Sequence, residues 1–563
     1  MTDQRTLAAS FEELAALLEI TGANSFRISA TRRVVGILED FDGDLCETAQ
    51  TPGALEAIDG IGKGSAERIR AWCQTGQIEE LETLRDEVPS GLIDLLNISG
   101  LGPKTVGRLW READVIDRVT LREAIDEGRL ADLPRMGAKT IANISDALAF
   151  AEQTADRTSI GIAMPLAESI VSQLQEIPGT SHVQYAGSLR RGRETIGDID
   201  VLACTDQPTE LISAFSNMEE VDKVLAAGDT KASIRHRAGI QIDLRVVSED
   251  SVGAALLYFT GSKEHNVSMR QKAQQQGQRL NEYGLFAEDD EDRKDPIACR
   301  TEADIYAALG LPEHPPELRE STDDITSSPP KLIEQCQIIS DLHTHTVASD
   351  GVLTIRELAD AALARGLKVL AITDHSRSSV QANGLSEDRL LAHIDAIHEA
   401  NESVDGITLL AGSEVDIHAD GRLDYEDHVL EKLDLVIASP HAALTQPSDQ
   451  ATPRLLAAIR HPLVHIIGHP TGRMIGRRPG LDVDIHAICA AAAEHRTALE
   501  INANPSRLDL RDRHVRVAME HGTLISINTD AHAADHLDFL RYGILTARRG
   551  GATADACINT WSA

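Results

Sequence analysis

Asp198 and Asp200 stand two residues apart in "GDIDVLA", and Asp243 follows in "QIDLRVV". Residues at i and i+2 of a strand project from one face, so the first pair is predicted to place two like charges side by side. Such a pair needs a cation between its members. In the second segment Ile242, Leu244 and Val246 fall on the face opposite Asp243. If the two strands are neighbours, three carboxylates converge and hold two divalent cations about 3.5–4 Å apart. Just upstream, "YAGSLRRGRETIG" sets Gly187, Ser188 and three arginines before Gly197. Gly187 and Ser188 offer backbone and hydroxyl donors to phosphate oxygens, and Arg191 offers a planar fork. Anion site, cations and carboxylates together point to phosphoryl transfer from a triphosphate, with Mg²⁺ or Mn²⁺ as cofactor. A merely solvated acidic strand would not explain the adjoining arginines.

A second set lies in the C-terminal half. "SDLHTHTVASDG" supplies His343, His345 and Asp350; "ITDHS" supplies Asp374-His375; "AGSEVD" supplies Glu414. "ASPH" ends in His441, "IIGHP" contains His469, and "INTDAH" carries Asp530 and His532. Each follows an apolar strand and precedes a helix, and strand C-terminal ends are where barrel enzymes build their sites. Setting Asp374 aside, nine N/O ligands exceed the needs of one ion, so two or three Zn²⁺ or Mn²⁺ ions are predicted. Such a cluster activates water and stabilises phosphate charge, the chemistry of phosphoester hydrolysis.

These residues must be positioned by several domains, because 563 residues exceed one core. The strands "VLAIT", "LVIAS", "VHIIGH", "ALEIN" and "LISIN" alternate with Ala-rich helical segments. That is βα repetition, most simply a barrel with a parallel sheet. The region from about Thr158 mixes strands and helices. The first 150 residues read as helical and repeat one pattern three times, in "IDGIGKGSAERI", "ISGLGPKTVGRL" and "LPRMGAKTIANI". Glycines at such turns (Gly60, Gly62, Gly100, Gly102 and Gly137) let backbone amides approach a phosphate at a helix N-terminus. Lys63, Lys104 and Lys139 add local positive charge. The pattern is that of a helix-hairpin-helix gripping a nucleic-acid backbone; one copy would pass for a capped helix turn, and three do not.

The formal net charge of -35 opposes a nucleic-acid partner, and only these local cations answer it. Seven cysteines without a CxxC pair predict a reducing compartment and no disulfide framework. The N-terminus shows no signal peptide and no apolar run approaches roughly 18 residues, so a cytoplasmic protein with no membrane partner is expected.

The Gly-Ser-Arg-Arg-Gly stretch, the aspartate triad and the later "YFTGSKEHNVSMRQKA" resemble, in this order, family X DNA polymerases. "NEYGLF" and "LGLPEHPPELRE" resemble the bacterial branch, and the histidine–carboxylate series resembles its polymerase-and-histidinol-phosphatase (PHP) domain. The resemblance covers essentially the whole chain. It implies that Asp198, Asp200 and Asp243 bind metal, with Asp243 assisting deprotonation of the primer 3′-hydroxyl. Ser188, Arg191 and Gly197 would hold the triphosphate; Tyr258, Phe259, Gly261 and Asn266 would line sugar and base. Lys263 would add a phosphate or base contact, and Arg270 would approach the template minor groove. In the PHP part it assigns His343, His345, Glu414 and Asp530 to one ion and Asp350, His375 and His532 to a second. Glu414 would bridge to a third ion held by His441 and His469.

One position departs from the animal repair enzymes of this family, which carry a lyase lysine on the helix after the first hairpin. Here the matching residue is Arg68, whose protonated guanidinium cannot attack a carbonyl. The expected architecture is multidomain: a helical DNA-binding region over 1–85, a fingers-like helical region over 86–157 and an α+β palm over 158–250. A thumb over 251–318, a linker over 319–337 and an α/β PHP barrel over 338–563 complete it. The expected function is gap filling in base-excision or end-joining repair on gapped or primed DNA with deoxynucleoside triphosphates. The barrel would add a 3′–5′ exonuclease and an abasic-site endonuclease, and the chain would act as a monomer. A small-molecule nucleotidyltransferase fused to a sugar-phosphate phosphatase would use the same metal sites but has no need of three hairpins. A spent DNA-binding scaffold would not keep complete ligand sets.

Overall fold

The computed structural model describes residues 2–562 apart from positions 40, 42–44, 59, 97, 99, 132, 135, 155–156, 290–295 and 321–324. The chain forms two compact units: residues 1–155 with a short segment, Gly476–Pro479, and the remainder.

The first unit is helical around one core that includes Phe11, Leu14, Ile69, Leu92 and Leu109. Its hairpin turns follow from glycine. Gly60 and Gly100 have φ of +90° and +89°, a region costly to any residue with a Cβ. At Gly60 a Cβ would also meet Ile37 Cδ1 at 2.6 Å. Gly62 and Gly102 cap the helices Lys63–Thr75 and Pro103–Ala113 without a side chain, leaving the first-turn amides open to an anion. The third copy precedes the helix Ala138–Thr154 but has Arg135 where the others have a positive-φ glycine; Arg135, like Asp59 and Ser99 of the other copies, lies outside the described residues. Lys63, Lys104 and Lys139 are all exposed. Arg68 is turned to Glu80, donating from Nε at 2.8 Å.

One expectation about cysteine is corrected here. Cys46 and Cys73 form a disulfide between the helices Leu45–Gln50 and Lys63–Thr75. Packing of these helices brings the two Cα atoms to 5.4 Å, within bridging range. A spacing of 27 residues carries no such signal.

In the second unit a five-stranded palm sheet runs in the order Thr180–Tyr185, Asp198–Thr205, Gln241–Val247, Lys231–His236, Val221–Ala227. Alternating burial along Gln241–Val247 puts Ile242, Leu244 and Val246 in the core and Asp243 on the other face, as the pattern predicts. A smaller core of Leu257, Met269, Leu285, Ile305 and Tyr306 follows in the thumb. Of the stretch expected as a linker, Arg319 and Glu320 at its start are packed, and most of residues 326–336 is exposed. Arg319 is fully buried, binding Glu302 Oε1 at 2.6 Å and His314 O at 2.8 Å, because its cation finds a buried carboxylate. Residues 321–324 of that stretch lie outside the described residues.

The C-terminal part is a seven-stranded parallel sheet in strict chain order, from Ser340–Thr344 to Ile525–Asn528. Strands such as Val369–Ile372 and Leu435–Ser439 are buried throughout, the mark of a parallel sheet covered on both faces. The first and last strands approach each other: Leu342 N donates to Asn528 Oδ1 at 3.1 Å, and Thr344 bridges Ala531. The barrel is nearly closed.

Palm and barrel share a boundary. Leu508 and Tyr542 of the barrel region are buried in the same cluster as the palm residues Ile199, Ile242 and Phe215. Glu194 of the palm is held by Arg473 at 2.6 Å and Arg511 at 2.8 Å. These guanidinium groups outweigh the effect of burial and keep its carboxyl below the usual carboxylate range. No described helix is long and apolar enough to cross a membrane.

Candidate active sites

The palm site forms because the strands Asp198–Thr205 and Gln241–Val247 pair in parallel with Asp200 opposite Asp243 and Asp198 opposite Gln241. All three aspartates therefore share one face. Burial, then the neighbouring charges of Asp198 and Asp243, push the Asp200 carboxyl up to about 7. This is the electrostatic signature of a site built to receive cations. Asp243 does not reach the cleft wall; its two oxygens accept from Gln241 Nε2 at 3.0 and 3.1 Å. Gly187 has no substitute here: its φ is +61°, and a Cβ would fall 2.2 Å from Asp200 Oδ2.

Beside the aspartates opens a cleft of about 560 Å³ lined by Gly187, Ser188, Arg191, Gly197, Asp198, Asp200, Tyr258, Phe259, Gly261, Lys263, Asn266 and Arg270. Every residue expected to bind nucleotide is on this wall, together with Arg157 and Arg193, which sequence reasoning did not single out. The three arginines of the opening motif divide their work. Arg190 turns inward to Glu302, with contacts at 2.6 and 2.9 Å, and so serves the fold. Arg191 and Arg193 face the cleft and reach Glu320 at 2.7 and 3.0 Å. Asn266 is fixed by donating to Tyr258 O at 2.7 Å, and Arg270 Nε donates to Asn266 O at 3.2 Å. Tyr258 and Phe259 meet edge to face at 5.1 Å, with the Arg245 guanidinium over Phe259 at 5.3 Å.

In the barrel, all nine expected ligands gather at the strand C-terminal ends. Glu414 is the hub. Its carboxylate lies 2.8 Å from His375 Nδ1, 2.8 Å from His469 Nε2, 3.2 Å from His441 Nε2, 3.5 Å from His343 Nε2 and 3.7 Å from His345 Nε2. Asp530 is 3.1 Å from His345 and 3.6 Å from His343; Asp350 is 3.4 Å from His532 and 3.5 Å from His375. Among the described residues three groups have the spacing of ion sites: His343, His345 and Asp530; His345, Asp350, His375 and His532; and His375, Glu414 and His441. His345 and His375 each belong to two groups; His469 belongs to none of them but reaches Glu414 at 2.8 Å and packs its ring 5.1 Å from that of His441.

The donor set fits metal. His343 Nε2, both nitrogens of His345, His375 Nδ1 and both oxygens of Glu414 are buried without a hydrogen-bond partner. Unsatisfied groups at this density are costly unless a ligand takes them. Burial, followed by the nearby His532 and His375, pushes His345 down to about 4, so it stands neutral at pH 7, the ligating form.

Supporting residues escaped sequence reasoning. Glu500 accepts from His343 Nδ1 at 2.7 Å, from His469 N at 2.6 Å and from Asn528 Nδ2 at 2.9 Å. Asp416 holds His441 Nδ1 and accepts from Ser378 and Ser379 at 2.7 and 2.9 Å. Such carboxylates fix ring orientation and tautomer. Asp374 is likewise not a ligand: it ties the 346–349 loop through Thr346 Oγ1 at 2.8 Å and takes His393 Nε2 at 2.7 Å.

Family models match along the chain: a helix-hairpin-helix domain over 3–78, a SAM-like helix-hairpin-helix tandem over 92–149, a DNA polymerase beta thumb over 255–320 and a PHP domain over 341–504. The DNA polymerase/3′-5′ exonuclease PolX of Bacillus subtilis (strain 168) is 39% identical over 555 residues, covering 98% of this chain and 96% of that protein. The chain belongs to the PolX family. It is a DNA polymerase joined to a 3′–5′ exonuclease of PHP type, it acts on DNA, and it uses divalent metal. The barrel alone is similar to smaller proteins. A probable phosphatase of Thermoanaerobacter sp. (strain X514) is 31% identical over 236 residues, 40% of this chain and 91% of that one. The probable phosphatase YcdX of Escherichia coli O139:H28 is 35% identical over 205 residues, 34% of this chain and 78% of that one. Among solved structures, Leishmania infantum polymerase beta in a ternary P/T complex aligns with 41% of this chain and 98% of its own, at 21% identity and a TM-score of 0.27.

Proposed function

We propose that this PolX enzyme fills short gaps during DNA repair, taking deoxynucleoside triphosphates in the palm cleft and trimming 3′ ends in the barrel. The observation that carries the reading is the single cleft that unites Ser188, Arg191 and Gly197 with Asp198 and Asp200. Arg191 offers its fork to the triphosphate, Ser188 its hydroxyl, and Tyr258 and Phe259 the apolar faces for sugar and base. Asp243, opposite Asp200, takes the proton of the primer 3′-hydroxyl. Asn266 and Lys263 complete the nucleotide wall, and Arg270 meets the template. Gly60, Gly62, Gly100 and Gly102 present amides to the DNA backbone, with Lys63, Lys104, Lys139 and the Gly137 turn beside them. Mg²⁺ or Mn²⁺ in the palm would clamp phosphate charge, and two or three Zn²⁺ or Mn²⁺ in the barrel would activate water. The protein works as a monomer.

Primer extension on a one-nucleotide gap, on an open template and with a small unlabelled nucleotide acceptor tests this reading. Extension is expected to be fastest on the gap. Equal rates on gap and open template would remove the gap-filling role, and transfer to the small acceptor would replace it with a metabolite nucleotidyltransferase.

The barrel is also the source of any abasic-site cleavage. Arg68 stands where a lyase lysine would act and is engaged by Glu80, so no amine nucleophile is presented there. Abasic-site cutting is expected to be hydrolytic, to require Mn²⁺ or Zn²⁺ and to disappear in His441→Ala. Borohydride is expected to trap no covalent adduct. A trapped adduct lost in Lys63→Ala would make Lys63 the nucleophile instead.

A further inference from the structure

We propose that Arg549, at the end of the barrel helix Leu540–Arg549, is a positioning residue for the polymerase site, acting on Arg191 through Glu320. The inference rests on the reading of Arg191 as a triphosphate ligand. Three guanidinium groups converge on the Glu320 carboxylate: Arg191 Nε at 2.7 Å and Arg549 Nη1 at 3.0 Å share Oε1, and Arg193 Nη1 takes Oε2 at 3.0 Å. Arg549 Nη1 also donates to the backbone oxygen of Arg191 at 2.8 Å. Arg549 is itself anchored in the barrel, where Nε and Nη2 donate to Asp512 Oδ2 at 2.9 and 2.6 Å. Helix contact continues alongside, since a Cβ on Gly192 would lie 3.1 Å from Leu545 Cβ.

The arrangement is electrostatically lopsided in a useful way. Alone with Arg191, Glu320 would neutralise the cation that the triphosphate needs. Arg549 competes for the same oxygen, and against the effect of burial its charge, with those of Arg191 and Arg193, holds the Glu320 carboxyl below the usual range. All three side chains are largely buried, at 7% exposure for Arg549, 12% for Arg191 and 16% for Glu320, so their charges are weakly screened. Arg549 therefore keeps the Arg191 fork available and fixes the main chain that carries it. Neither the thumb match, which ends at residue 320, nor the PHP match, which ends at residue 504, contains Arg549.

The test uses the full chain and single-nucleotide insertion, with 3′-end hydrolysis measured on the same preparations. Arg549→Met is expected to raise KM for the incoming nucleotide about tenfold, with kcat and hydrolysis unchanged. Arg549→Lys is expected to fall between, because charge returns without the fork. In Arg549→Met/Glu320→Gln the KM should be no higher than in Glu320→Gln alone. An unchanged KM in Arg549→Met, or effects that add in full, overturns the proposal. If Arg549→Met also lowers hydrolysis, Asp512→Asn decides: it releases the barrel anchor and keeps the cation, and an unchanged KM there overturns the proposal. Arg191→Ala separates the underlying reading, since an unchanged KM in that variant would sink the triphosphate assignment itself. A raised KM in Arg191→Ala beside an inert Arg549→Met would sink the relay alone.

Discussion

Asp243→Ala is expected to slow nucleotide addition by on the order of 10³-fold while 3′-end hydrolysis continues at the parental rate. The pairing of the palm strands puts Asp243 directly opposite Asp200, so the substitution removes one of three carboxylates from the metal face and the group assigned to the primer hydroxyl. Among the described residues its carboxylate accepts a hydrogen bond from Gln241 Nε2 alone, and the residue stands on the sheet face away from the core. Loss of fold is therefore not the expected cause. Asp243 is one of the charges that push Asp200 up, so the metal-free variant should melt no lower than the parent near neutral pH. Nucleotide addition and hydrolysis, assayed on one primed duplex, give the answer. Extension near the parental rate would mean that the palm assignment is wrong.

Glu414→Ala is expected to do the reverse and to be the most damaging barrel substitution. Five histidines lie within 3.7 Å of its carboxylate, and both oxygens are buried without a hydrogen-bond partner. Removing it leaves several imidazoles without their central anion, so metal content and hydrolysis should fall together, the latter by roughly 10³-fold. His343→Ala should cost less, because His343 approaches only Glu414 and Asp530 on its metal-facing nitrogen. Metal content by mass spectrometry and digestion of a labelled 3′ end are the measurements. Hydrolysis equal to the parent in Glu414→Ala would refute the bridging role. Nucleotide addition lost in step with hydrolysis would show that the barrel's integrity supports the palm.

The residues that gather in the two candidate metal sites are readable from the sequence because their spacing is local. Asp198 and Asp200 share a face by the two-residue period of a strand, and the barrel ligands announce themselves as His, Asp or Glu just after apolar runs. Their partners were hidden for the same reason. Glu500 lies inside "ALEIN", an apolar strand whose one charge is fully buried; a carboxylate at the same depth as the other strand-end ligands was the available signal. Asp416 follows Glu414 by two residues and so points to the same side, which also could have been read. Arg157, Glu320 and Arg549 could not, since their neighbours come from distant segments brought together by tertiary packing. Composition also hides the burial of Arg319 at the start of the expected linker: proline and acid predict an extended chain, and Glu302 gives Arg319 a buried partner from outside the window. The ion grouping was partly legible, for spacing names the ligands and leaves their sharing of His345 and His375 to the folded geometry.

Leu508 and Tyr542, buried in the palm cluster, set an order of events on the ribosome. The palm's own strands end at Val247, and about 300 residues must still be translated before Tyr542 exists, roughly 15–60 s at typical elongation rates. Throughout that interval the nascent palm carries an open apolar seam and an uncompensated Glu194, whose cations at Arg473 and Arg511 have yet to be made. The palm core is thus complete only once the barrel helix carrying Tyr542 has been made. A message cut short within the barrel is expected to yield a polymerase half with part of its core missing.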